Sequence, residues 1–87
     1  MNGYAVTFAA SATKELRDLP SDIVDRLLPK VRELAATPRP IGCKKLHGCK
    51  DRWRMRVGQY RIVYSIDDAR KIVDITRIAH RREVYEP

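Results

Sequence analysis

The sequence predicts an α+β fold in which an antiparallel β-sheet packs against an N-terminal helical hairpin. Three observations carry this expectation: apolar residues recur at helical spacing through residues 12–36, residues 52–66 alternate in hydropathy, and a Gly-Gln pair divides that alternating run. At 87 residues, 44% hydrophobic and 33% charged, the chain has the length and composition of one small domain spanning 1–87. It is too apolar for general disorder and too mixed for low-complexity structure. Apolar runs reach only a few residues, and no basic segment followed by an apolar stretch opens the chain. The expectation is therefore a cytoplasmic protein with no membrane partner, in which Cys43 and Cys49 are free thiols.

Tyr4–Phe8 is short, aromatic and branched, and reads as a strand. Ser11 is placed to cap a helix whose Ala12, Leu16 and Leu19 share one face. Pro20-Ser21 breaks the chain. Ile23, Val24, Leu27, Leu28, Val31, Leu34 and Ala35 then mark a second helix over Asp22–Ala36, with a kink expected at Pro29. Thr37-Pro38-Arg39-Pro40 stops it. A basic loop follows over Ile41–Asp51.

The run Arg52–Val57, the turn Gly58-Gln59 and the run Tyr60–Ile66 form a hairpin whose two-residue turn sets the register. Val57 then opposes Tyr60, Arg56 opposes Arg61 and Arg54 opposes Val63. Trp53, Met55, Val57, Tyr60, Ile62, Tyr64 and Ile66 collect on one face as packing residues. Arg52, Arg54, Arg56 and Arg61 collect on the other, which is expected to stand open to a ligand. Asp67–Arg70 makes a turn, and a last strand runs over Lys71–Ile78. Its apolar parity is divided, with Ile72 and Ile78 on one side and Val73 and Ile75 on the other, which leaves apolar surface for a partner or the chain end.

The net charge of +7 is segregated. Residues 1–38 carry five cations and five anions, as do residues 62–87. Residues 44–61 carry Lys44, Lys45, Lys50, Arg52, Arg54, Arg56 and Arg61 against Asp51 alone. A focused positive field points to a polyanion such as nucleic acid or the ribosome. With His80, Arg81, Arg82 and Tyr85 following the last strand, the cations can surround a phosphate.

On RNA, the chemistry accessible to such groups is attack of a ribose 2'-OH on the adjacent phosphate. It needs a proton acceptor, cations on the phosphorane oxygens and a proton donor for the leaving 5'-oxygen. Arg61 and Arg81 suit the clamping role, Arg54 and Arg56 the flanking phosphates, and His80 the proton transfer. Tyr85 suits base stacking, or proton transfer if its cationic surroundings lower its pKa. Lys44, Lys45, Arg52 and Arg82 complete the RNA-binding candidates. His47 sits in the basic loop as an ordinary surface residue. No metal site or cofactor is expected: His47 and His80 are far apart, and Asp67-Asp68 fits a turn better than a cation site.

In order along residues 3–86, the segments Ser11-Ala12-Thr13-Lys14-Glu15-Leu16, Lys45-Leu46-His47-Gly48, Trp53–Tyr64 and His80-Arg81-Arg82-Glu83-Val84-Tyr85 resemble the RelE/ParE superfamily of small bacterial and archaeal toxins, specifically its RelE branch. The resemblance implies an mRNA interferase that cuts mRNA in the ribosomal A site and leaves a 5'-OH end. It implies phosphate-stabilising roles for Arg61 and Arg81 and a substrate-positioning role for Tyr85. Arg54 and Arg56 stand where a well-studied branch carries lysines, one of them implicated in proton transfer, so the general base is open and His80 is a candidate. The family further implies a cognate antitoxin and, through the toxin–antitoxin complex, operator DNA. The alternatives are a ParE-like poison of DNA gyrase and a noncatalytic ribosome- or nucleic-acid-binding module.

Overall fold

A computed structural model describes residues 3–46 and 51–80. The elements run β1 (Ala5–Phe8), α1 (Ala10–Arg17), α2 (Ser21–Glu33), β2 (Lys44–Lys45), β3 (Arg52–Val57), β4 (Tyr60–Asp67) and β5 (Ile72–His80). They build one five-stranded sheet of order β1-β5-β4-β3-β2. Both helices cover one face of it.

The β3–β4 hairpin has the expected register: Val57 opposes Tyr60, Arg56 opposes Arg61 and Arg54 opposes Val63. Gly58 adopts φ 59° at the first turn position, a conformation open to glycine without steric cost. Met55, Ile62, Tyr64 and Ile66 are buried beneath the helices, with Trp53, Val57 and Tyr60 packed at the margin. From the helices come Ala12, Leu27, Val31 and Leu34, all buried, and the partly buried Leu16 and Leu19. The helical periodicity is therefore core periodicity.

Three local expectations need revision. β1 joins β5 in parallel, pairing Ala5–Phe8 with Ile72–Ile75, so the sheet is antiparallel from β2 to β5 and parallel only at this edge. The connection between these two strands contains α1, α2 and β2 to β4, more than the long crossover that a parallel pair requires. Lys44 and Lys45 are not loop but a two-residue strand on β3, a short charged edge of the kind that resists pairing with other chains. Ser11 does not cap α1. Ala9 occupies the cap position, and the Ser11 hydroxyl instead donates to the Thr76 carbonyl at 2.9 Å. Pro29 lies inside α2, whose span runs on to Glu33. Pro29 and Asp25, whose carbonyl loses its partner, are both exposed, so water can satisfy that oxygen.

The divided parity of the last strand resolves into a β-bulge. Val63 pairs with Arg77 but Tyr64 pairs with Ile75, leaving Thr76 as the extra residue on β5. Its hydroxyl donates to the Val63 carbonyl at 3.1 Å. The extra residue re-phases the strand, so Val73 and Ile75 before it and Ile78 after it all enter the same core. The apolar surface expected to remain on this strand is thereby spent on the fold itself.

The Pro38–Pro40 connection is clasped to the far end of the sheet. Arg39 donates to both carboxylate oxygens of Asp68, at 3.2 and 2.8 Å, and its guanidinium lies 5.0 Å from the Trp53 ring centroid. Tyr4 donates its hydroxyl to Asp68 Oδ1 at 2.6 Å, and the buried Tyr64 donates to the Pro38 carbonyl at 2.9 Å. Burial first, and then the neighbouring Cys43, raises the pKa of the Tyr64 phenol. Cys43 carries a free thiol; Cys49 lies outside the described residues.

The hydrogen bonds from Arg39 and then Tyr4 hold the Asp68 carboxyl below its ordinary 3.8. In the acid range the unfolded chain thus binds the proton more tightly than the native one, so this contribution is complete above 3.8 and disappears as pH falls through the depressed native value. Asp68→Asn is expected to lower the urea midpoint near neutral pH and to converge with wild type in strong acid. An equal deficit at both would show that the carboxylate's charge is not what the clasp uses.

Candidate nucleic-acid interface

Strand alternation carries the cations onto the face away from the helices. Lys44 pairs with Arg54, Arg54 with Val63, Arg56 with Arg61, and Arg61 with Ala79, so Lys44, Arg52, Arg54, Arg56 and Arg61 share that face. Arg56 and Arg61 are directly opposed beside the hairpin turn, where cross-strand partners have Cβ atoms about 4.5–5.5 Å apart. Two guanidiniums so placed repel, and an anion between them converts repulsion into two charge-assisted contacts. At the other end of the face Arg52 aligns with Ser65 and Asp74, and Thr7 donates its hydroxyl to Asp74 Oδ1 at 2.7 Å. The surface therefore runs from cationic at the β3–β4 turn to mixed charge at the β4–β5 turn.

The arginines do not stand equally open. Arg52 and Arg56 are exposed and Arg61 half-buried, but Arg54 is only 5% exposed. The reason lies in the floor of the face. Val63 and Ala79 form a second small apolar cluster there with Leu46 packed against it, and Arg54 lies in line with Val63. The aliphatic stem of an arginine covers such a floor. Arg54 accordingly belongs to the body of the face, whereas Arg56 and Arg61 form its accessible cationic centre.

Two expected members are elsewhere. Lys45 pairs with Trp53 and so falls on the opposite side of the sheet from Lys44. His80 pairs with Tyr60 and meets its ring edge-on at 5.5 Å, on the helix side, because the bulge reverses the parity of the strand's end. There it lines a cleft of about 260 Å³ with Glu15, Asp18, Leu19 and Tyr60. His80 is thus on the opposite face of the sheet from Arg61. Arg81, Arg82 and Tyr85, together with His47 and Lys50, lie outside the described residues.

Reading the sequence missed Glu15 and Arg77. Glu15 Oε1 accepts the Ile78 backbone N–H at 2.7 Å, and Oε2 accepts Arg77 Nε–H at 2.9 Å. The only hint was Ser11 and Glu15 four residues apart on one helix face. Among the described residues no three His, Cys, Asp or Glu side chains group to hold a metal ion, and no helix is long and apolar enough to cross a membrane.

Residues 6–85 match the family model described as ParE toxin of type II toxin-antitoxin system, parDE. The chain is 34% identical over 86 residues to the mRNA interferase toxin RelE of Escherichia coli K12, covering 94% of this chain and 90% of that protein. It is 30% identical over 83 residues to toxin RelG of Mycobacterium tuberculosis, covering 94% and 95%. The fold superposes on the archaeal RelE–RelB complex from Pyrococcus horikoshii with a TM-score of 0.81 at 29% identity, over 97% of this chain and all of that one.

The unequal burial of the arginines is open to measurement. Arg54→Ala is expected to cost about 1–3 kcal/mol, since it strips cover from the Val63 floor, while Arg56→Ala stays within about 0.5 kcal/mol. For a domain of this size each kcal/mol moves Tm by roughly 4–8 °C, well within reach of thermal melts. Equal Tm values for the two variants would contradict the assignment of Arg54 to the body of the face.

Proposed function

The chain belongs to the RelE/ParE superfamily of type II toxin–antitoxin toxins, in its RelE-like branch, and from that membership we propose that it is an endoribonuclease that cuts mRNA in the ribosomal A site. The observation that carries the reading is the opposed Arg56–Arg61 pair on an open sheet face, next to the strand that delivers the chain to Arg81. The proposed reaction is metal-independent. The 2'-oxygen attacks the adjacent phosphorus, the bond from phosphorus to the 5'-oxygen breaks, and the products are a 2',3'-cyclic phosphate and a 5'-OH end. The proton lost from the 2'-OH and the proton gained by the 5'-oxygen balance.

Arg61 stabilises the charge that builds on the phosphorane oxygens, as an oriented guanidinium does for a developing oxyanion. Arg56 holds the neighbouring phosphate, and Lys44 and Arg52 extend the track along the backbone. Arg81 joins the clamp, and Tyr85 stacks on or positions the substrate. Arginine holds its proton too tightly to serve as a base, and His80 lies across the sheet from Arg61. The proton acceptor is therefore sought among groups brought by the tail or by the ribosome.

The Pyrococcus horikoshii relative is found in complex with RelB. By analogy this chain takes a cognate antitoxin that neutralises the cationic face, and the pair contacts operator DNA through the antitoxin. The family model's own description, a parDE toxin, favours gyrase inhibition as the second reading. The terminal His80–Tyr85 run supports RNA cleavage over it.

End mapping of mRNA on programmed ribosomes, run beside free mRNA and a gyrase supercoiling reaction, separates the two. Wild type is expected to leave 5'-OH ends only on ribosome-bound mRNA. Arg61→Ala is expected to slow cleavage by about 10²–10³-fold, the size of losing one oriented charge-stabilising donor, with folding retained. Stalled gyrase without cut RNA would move the chain to the second reading, and full cleavage by the variant would remove Arg61 from the clamp.

A further inference from the structure

The outer edge of β5 changes partner halfway along. Over Ile72–Ile75 it is paired by β1, ending at the bond from the Ala9 N–H to the Ile75 carbonyl at 2.8 Å. From Thr76 onward no described strand continues, and α1 takes over: Ser11 donates to the Thr76 carbonyl, and Glu15 accepts the Ile78 N–H. The spacing explains how a helix can do this. Four residues along a helix advance about 6 Å, and two residues along a strand advance about 6.6 Å. Ser11 and Glu15 therefore present one acceptor-and-donor set in step with Thr76 and Ile78.

Glu15 does more than satisfy an amide. Its second oxygen binds Arg77 Nε, so one carboxylate, its side chain 27% exposed, holds two successive residues of the strand. That strand ends at His80, and Arg81 is the next residue in the chain. The inner edge of β5 is held by β4 up to the Tyr60–His80 pair, and the α1–β5 seam is the brace on its outer edge, three residues before the proposed clamp residue.

We propose that Glu15 is a positioning residue for cleavage: by locking the end of β5 to α1 it sets the path along which the chain reaches Arg81. This rests on the reading of Arg81 as a clamp residue given above. Glu15 itself touches no substrate. Its effect is therefore on the rate of the chemical step and not on ribosome binding, which the exposed cations of the sheet face carry.

The test is single-turnover cleavage of mRNA on programmed ribosomes across a range of full-length toxin concentrations, for wild type, Glu15→Ala and Glu15→Gln. Amide exchange at Ile78 is followed in parallel. Glu15→Ala is expected to reduce the saturating rate by about 10- to 100-fold, the effect of a small misplacement, with the half-saturating concentration changed less than about twofold. Exchange at Ile78 should rise while the core strands stay protected. Glu15→Gln keeps a carbonyl oxygen for the Ile78 N–H but loses the Arg77 contact, and is expected to fall between wild type and alanine in both rate and Ile78 protection. A Glu15→Ala variant that exchanges Ile78 quickly yet cuts at full rate overturns the inference. So does a loss of protection spread over the whole core. A wild type that cuts no ribosome-bound mRNA overturns the functional reading, and the inference with it, and is told apart from those outcomes by the wild-type lane alone.

Discussion

One extra residue in the last strand governs the architecture. Thr76 interrupts the pairing of β4 with β5, and every residue beyond it turns over relative to those before. Without the bulge, a strand with Val73 and Ile75 inward would point Ile78 toward solvent and Ala79 into the core. With it, Ile78 seals the core beneath the helices, and Ala79 joins Val63 under the arginines. The Thr76 hydroxyl bound to the Val63 carbonyl serves a backbone group at the irregularity.

The same shift settles how the sheet's edges are closed. An unpaired strand edge exposes donors and acceptors to other chains. Here β2 is two lysines long, and the far half of β5 is covered by Ser11 and Glu15 of α1. Near the β4–β5 turn the Tyr4–Asp68–Arg39 clasp, extended over Trp53, ties the connection after α2 across the sheet. Polar side chains thus finish what the short strands leave open, while the apolar core stays on one face.

Keeping that core one-sided leaves the other face available for charge. Arg56 and Arg61 face each other across the ladder, and this pairing of like charges concentrates positive field beside the hairpin turn. The apolar floor of Val63, Ala79 and Leu46 gives their neighbours something to pack on, and Arg54 is held down by it. The result is a rigid sheet carrying a cationic ridge, the form of support that keeps charged groups in place when a polyanion arrives. The proposed function therefore draws on the face opposite the main apolar core.

The period-two alternation of residues 52–66 and the single permissive glycine at position 58 were enough to specify the hairpin, its register and the separation of apolar from cationic faces, because strand geometry and turn length leave few alternatives. The helical stripes specified most of the core positions of α1 and α2 for the same local reason, although Val24, Leu28 and Ala35 stay half-buried outside the core cluster. Only the tertiary structure decided what depends on distant neighbours. The bulge on β5 turns His80 away from Arg61, and it arises from pairing with β4. The burial of Arg54 needs Val63 from the adjacent strand and the apolar cluster it forms with Ala79. Glu15 reaches Ile78, and Tyr4 reaches Asp68, across more than sixty residues of chain. Local spacing encodes periodicity and turns, whereas contacts of this separation exist only once the sheet has brought its ends together.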